Sequence, residues 1–126
     1  MNWPLSGVRH RGMELIRRGE VYWVKLDPIE GSEIGKTRPA VVISNNINNE
    51  FADSLTVIPV TSSVGKVYPF EVLVKKGIAN VSTDSKVKAN QIRTVDKKRL
   101  NERIGIIPDE ILKEIEKAVK IHLEIK

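Results

Sequence analysis

GSEIGKTRPAVVISN, residues 31–45, sets a polar, partly charged loop with two glycines directly before a near-continuous apolar run. From Arg38 onward, RPAVVISN predicts a central strand buried on both faces. Pro39 fits there because the first residue of a strand can lack a ladder donor. Arg38 stands at the joint between loop and strand. Further on, a second buried strand, TVIPV at 56–60, ends in the hydroxyl cluster Thr61-Ser62-Ser63. A fixed cation and a hydroxyl on two strand ends, beside a mobile loop, make a site suited to handling a phosphate.

The flanking elements follow from local pattern. GEVYWVKLD (19–27) alternates, is rich in β-branched and aromatic residues, and stops at Asp27-Pro28, so it reads as a strand. The asparagine-rich stretch 45–50 reads as a turn or one helical turn. SLTVIPVTS (54–62) is a third strand, and YPFEVLVK (68–75) a fourth after a turn at Val64-Gly65-Lys66. Residues 76–85 form a loop. SKVKANQIRTV (85–95) is predicted as a single fifth strand with Val87, Ala89 and Ile92 inward, and RIGIIP (103–108) as a short sixth.

The chain then turns helical. Pro108 fits a first turn, and Asp109 and Glu110 suit the positive end of a helix dipole. Ile111, Leu112, Ile115, Val119 and Leu123 form one apolar stripe, and Glu116 and Lys120 are spaced as an i, i+4 pair. The fold class is mostly β with α (α+β by some schemes). It reads as a small antiparallel barrel-like sheet with a C-terminal helix over an open face or edge.

At 126 residues the chain is one domain. That length buries roughly two-thirds of the unfolded surface, enough for an ordinary core. It has no cysteine, which removes disulfides, thiolate metal sites and cysteine nucleophiles, and fits a reducing cytoplasm. No run of about 18 apolar residues could span a membrane. Residues 1–12, MNWPLSGVRHRG, lack an apolar signal core of about 7–15 residues. They read as a disordered tail or an upstream extension, with 13–126 as the domain. The formal charge is +5; without Arg9 and Arg11 of the tail it is +3. Either value suits an anionic partner, nucleic acid or an acidic protein.

Several chemistries find no support. GSEIGKT is one residue short of the phosphate-binding P-loop, and a strand follows it where that motif needs a helix. The two histidines are His10, in the tail, and His122, beside the helical stripe, where packing is the simpler role. No metal-ligand spacing is present, and a histidine acid–base pair or serine triad would have to recruit one of these two residues. Arg38 and Thr61 remain. An arginine before a proline also serves as a surface or ion-paired residue, and hydroxyls at a strand end also serve turns.

RRGEVYWVKLDP (17–28), GSEIGKTRPAVVISN (31–45), TVIPVTS (56–62), QIRTVDKKRL (91–100) and the helical PDEILKEIEKAV occur in one order and spacing. Through them the chain, from Arg18 to about Leu123, resembles the MazF/PemK family of toxin endoribonucleases from bacterial toxin–antitoxin pairs. The resemblance implies a small SH3-like or CcdB-like barrel. It places the family's catalytic arginine on Arg38, its catalytic threonine on Thr61 and the glutamate of its first loop on Glu33; the neighbouring Ser62 hydroxyl is a candidate helper to Thr61. Lys36, Gln91 and Arg93 are the expected RNA-binding residues. Asn90 stands where many members carry an acid. No metal or other cofactor is implied. The implied partners are single-stranded RNA, a second copy of the chain with RNA in the groove between the two, and an antitoxin with an acidic, disordered tail.

The implied reaction is attack of the RNA's own 2′-OH on the neighbouring phosphorus, giving a 2′,3′-cyclic phosphate and a 5′-OH. These residues suit it, because the substrate supplies the nucleophile and the protein must orient it and stabilise developing negative charge. Arg38 is permanently charged with a fork that matches phosphate. Glu33 reads equally as an exposed loop acid, and Lys36 as a solvated lysine. The same fold also serves CcdB-type toxins that bind DNA gyrase and cleave nothing, and a non-catalytic RNA- or protein-binding module is a third reading. Arg38 with Thr61 favours cleavage.

Overall fold

Ala40, Val41 and Val42 have no accessible surface, as a strand covered on both faces requires. The computed structural model describes residues 15–126; the predicted tail, 1–12, and the first two residues of the predicted domain lie outside the described residues. In chain order the elements are β1 (Glu20–Lys25), β2 (Thr37–Val42), α1 (Asn46–Phe51), β3 (Ser54–Thr61), β4 (Glu71–Val74), β5 (Ser85–Lys88), β6 (Arg93–Asp96), β7 (Leu100–Ile106) and α2 (Asp109–Leu123). The strands form one antiparallel sheet in the order β4-β5-β3-β2-β1-β7, and β6 also pairs with β3. The mostly-β architecture with a C-terminal helix is the one the sequence predicts.

The central strands alternate between two cores. Ala40 and Val42 join Tyr22, Val24, Leu55 and Val57 on one face. Val41 joins Val21, Ile58, Val60 and Val87 on the other. α2 closes the second core with Ile115 and Ala118, packing on β4 and the turn before β6. A fully buried Val, Leu or Ile contributes about 1.5–3 kcal/mol, so these side chains fix the register of β2 against β3.

Three expectations need correction. Residues 85–95 are two strands, β5 and β6, separated by a 3₁₀ turn at Ala89–Gln91. Both strands lie on the same edge of β3: β6 takes residues 54–57 and β5 takes 60 and 61. The register slips by three residues between them, which is the length of the turn. The last strand begins at Leu100, earlier than RIGIIP predicts, because a bulged pairing with β1 extends it. In α2, Glu116 pairs with Arg18 at 2.6 Å, not with Lys120, and Leu123 and His122 are exposed beyond the packed part of the stripe. The helical-turn reading of 45–50 holds: the Asn45 side chain accepts from the Asn48 N–H and caps α1.

Candidate active site

The ladder between β2 and β3 runs Val42–Val57, Val41–Ile58, Ala40–Pro59. Continued by two residues, it puts Thr61 opposite Arg38. Alternation places Arg38 on the face of Ala40 and Val42, and Thr61 on the face of Leu55 and Val57, so both side chains leave the same face. The paired positions of β2 and β3 end at Ala40–Pro59; beyond them Arg38 pairs with Val24 of β1 and Thr61 with Lys86 of β5, each on its strand's other edge. Cation and hydroxyl therefore stand just past the last paired position of the two strands.

Arg38 is half-buried, and its Nε donates to the Gly35 carbonyl at 3.3 Å. That bond fixes the plane of the guanidinium. Among the described residues no hydrogen bond or ion pair engages its two terminal nitrogens, which keep their donors for a ligand. The Thr61 Oγ1 accepts from the Ser63 N–H at 3.1 Å. Its own proton is left to donate. Ser62 is exposed and, with Arg38, Thr37 and Pro39, borders a cleft of about 360 Å³ reaching towards Asn80–Thr83 and Trp23. By alternation Ser62 leaves the face opposite Thr61.

The loop between β1 and β2 is tied down. Leu26 N–H donates to the Lys36 carbonyl, and the Lys36 N–H donates to Asp27 Oδ1, both at 2.8 Å. These bonds hold Lys36 at φ 64, a left-handed conformation that costs a lysine about 1–2 kcal/mol. Gly35 is buried between Asp27 and Ile29, where an added Cβ would meet Asp27 Oδ1 and Ile29 Cγ2 at 2.7 Å. Glu33 is exposed; its Oε1 accepts from the Glu30 N–H at 2.6 Å.

The later segment clasps this loop. The Gln91 Oε1 accepts from the Ile34 N–H at 3.3 Å, and Arg93 donates to the Leu26 carbonyl at 3.2 Å. Arg99 donates to the carbonyls of Lys25 and Asp27. These bonds bring Gln91 and Arg93 to the loop before Arg38, and the register of β2 and β3 puts Thr61 opposite Arg38. Gln91 and Arg93 hold the loop, whereas Lys36 is exposed beside it.

Residues 17–123 match a family model for "PemK-like, MazF-like toxin of type II toxin-antitoxin system". The chain belongs to this family. The endoribonuclease MazF9 of Mycobacterium tuberculosis is 42% identical over 116 residues, covering 88% of this chain and 98% of that protein. The crystal structure of MazF from Deinococcus radiodurans superposes with a TM-score of 0.77 at 30% identity, covering 88% of this chain and 98% of that one. A MazE–MazF structure from the same organism gives 0.70 at 25% identity, covering 90% and 99%.

Sequence reasoning missed three members of this region of the toxin fold. Arg99 sits in a run of basic residues that reads as solvated surface. Glu71 and Lys86 form a buried ion pair at 2.9 Å, with side chains 2% and 8% exposed. Burial pushes the Glu71 carboxyl up, but the Tyr68 N–H, Lys86 and Lys88 more than offset it and hold it below its ordinary range. Only the register brings the two onto one face: Glu71 lies opposite Lys88, two residues along β5 from Lys86, so the pair is a diagonal one.

Proposed function

We propose that this chain is the toxin of a type II toxin–antitoxin pair and an endoribonuclease that cuts single-stranded mRNA without a metal. The observation that carries this reading is the placement of Arg38 and Thr61 on one face just past the paired positions of β2 and β3, under a tied loop. In the reaction the 2′-oxygen bonds to phosphorus as its proton leaves, and the bond from phosphorus to the 5′-oxygen breaks. That oxygen takes up a proton. The products are a 2′,3′-cyclic phosphate and a 5′-OH.

Arg38 holds the phosphoryl oxygens with its free terminal nitrogens, and Thr61 donates its hydroxyl proton to the same group or to the 2′-OH. Both donors are oriented before substrate arrives, one by Gly35 and one by Ser63. Glu33 and Ser62 act in support, and Lys36 adds attraction for the backbone. Bases are read where they unstack against the loop.

The protein works in the cytoplasm as a homodimer, with RNA in the groove between copies. Trp23, 42% exposed at the cleft, is the kind of apolar surface a second copy would cover. The cognate antitoxin lays an acidic, disordered tail in the same groove, drawn by the opposite charge of this chain and ordered on binding.

The test is incubation of the purified chain with long single-stranded RNA in excess chelator, followed by mapping of the ends. Discrete cuts with cyclic-phosphate ends are expected. Intact RNA together with inhibition of DNA gyrase would instead establish the CcdB-type reading. Loss of cutting in chelator would show that a metal takes part.

A further inference from the structure

We propose that Lys88 binds a second phosphate of the RNA, next to the one held by Arg38 and Thr61. This inference rests on the ribonuclease reading of the site. Thr61 lies directly opposite Lys86 on β5, and Glu71 on β4 directly opposite Lys88. Directly opposed residues share a face, and so do residues two apart on one strand. Arg38, Thr61, Lys86, Lys88 and Glu71 therefore leave one face of four neighbouring strands. At about 4.8 Å between strands, β5 lies roughly 10 Å from β2.

The charges along this row do not cancel. The Glu71 carboxylate is bound tightly by Lys86 at 2.9 Å, and Lys86 is further fixed by donating to the Lys66 carbonyl at 2.9 Å. Lys88 Nζ makes only the longer ion pair, 3.7 Å from the other Glu71 oxygen and too far for a hydrogen bond, on a side chain 26% exposed, so that two ammonium groups share one carboxylate. Among the described residues no hydrogen bond engages it. A lysine that served only as solvated surface would extend into water. This one is drawn inward over a carboxylate already bound by Lys86, on the face of Thr61 and two residues along β5 from the position opposite it. The excess positive charge lies on the same face as Arg38 and Thr61, within reach of a nucleotide flanking a phosphate held there. A compact ammonium suits a flanking phosphate, where attraction without a fixed hydrogen-bond geometry is sufficient.

The experiment first maps where the unaltered chain cuts RNA. It then measures binding of an oligoribonucleotide spanning that cut, with a 2′-deoxy scissile nucleotide so that it binds uncut, across a range of salt. For single strands each neutralised phosphate contributes about −0.7 to the slope of log affinity against log salt. Lys88→Gln is expected to weaken binding several-fold and to make the slope shallower by about 0.7, with Lys88→Arg restoring both. Lys88→Met makes the same comparison should glutamine unfold the chain. An unchanged slope in a folded neutral variant, with the unaltered chain still cutting RNA, would overturn the inference alone. No cutting by the unaltered chain would overturn the ribonuclease reading, and this inference with it.

Discussion

The Ile34 N–H donates to the Gln91 side chain at 3.3 Å, so the loop before β2 is pinned by a turn 57 residues later in the chain. Losing a bond of this kind costs about 1 kcal/mol, or five- to tenfold in the population of the ordered loop. Gln91→Leu is expected to speed amide exchange at Ile34 and to lower kcat/KM for RNA by about that factor, with little change in melting temperature. Faster exchange is the deciding measurement. Unchanged exchange with reduced affinity would make Gln91 a direct RNA contact.

How far the sequence reveals this region depends on the kind of interaction. The apolar run after Arg38 marks β2 as central, because burial on both faces leaves a pattern in the residues themselves. The break between β5 and β6 leaves none. Ala89–Gln91 contains no glycine or proline, and the three-residue slip is imposed by sharing one edge of β3. Arg38 and Thr61 are named from the sequence, but their common face follows only from the register of β2 and β3. Glu71 and Lys86 are invisible for a similar reason: each sits in an alternating strand where a charge reads as solvent-facing, and their pairing is tertiary.

Arg38 and Thr61 make separable demands. Arg38→Lys keeps a positive charge but loses the planar fork that Gly35 orients, so it is expected to recover little of the activity lost in Arg38→Ala. Removal of one oriented donor to a developing charge costs about 10²–10³ in rate. Thr61→Ser retains a hydroxyl and an acceptor for the Ser63 N–H, and is expected to stay within tenfold of the unaltered rate, while Thr61→Val falls with Arg38→Ala. Single-turnover cleavage rates distinguish these cases. Activity in Thr61→Val equal to that in Thr61→Ser would remove the hydroxyl from the mechanism.

Two glycines separate activity from stability. At Gly105 an added Cβ would meet the Ala79 carbonyl oxygen at 2.5 Å, a backbone atom that cannot swing aside. Gly105→Ala is expected to destabilise the fold by about 1–3 kcal/mol and leave the rate of the remaining folded protein unchanged. At Gly35 the obstructing atoms belong to Asp27 and Ile29, and Asp27 Oδ1 also accepts the Lys36 N–H. Gly35→Ala is expected to displace that carboxylate and the carbonyl that orients Arg38, costing activity well beyond its effect on thermal stability. Thermal melts paired with cleavage rates test both, and equal losses of activity at the two sites would refute the distinction.

The Glu71–Lys86 pair gives stability a dependence on pH with a definite sign. In the unfolded chain Glu71 titrates near its ordinary value of 4.5, and in the folded chain below it. As pH falls, the unfolded state takes up the proton first. The contribution of the ionised carboxylate is therefore complete above about pH 4.5 and is lost as pH drops through the lower, folded value. Glu71→Gln removes this titration and leaves the buried Lys86 without its counter-charge, which costs about 3 kcal/mol near neutrality. Unfolding by urea at intervals from pH 7 to pH 3 is expected to show two curves well apart at pH 7 that converge below pH 4.5. Curves that stay parallel would mean that Glu71 holds no ionised contact the unfolded chain lacks.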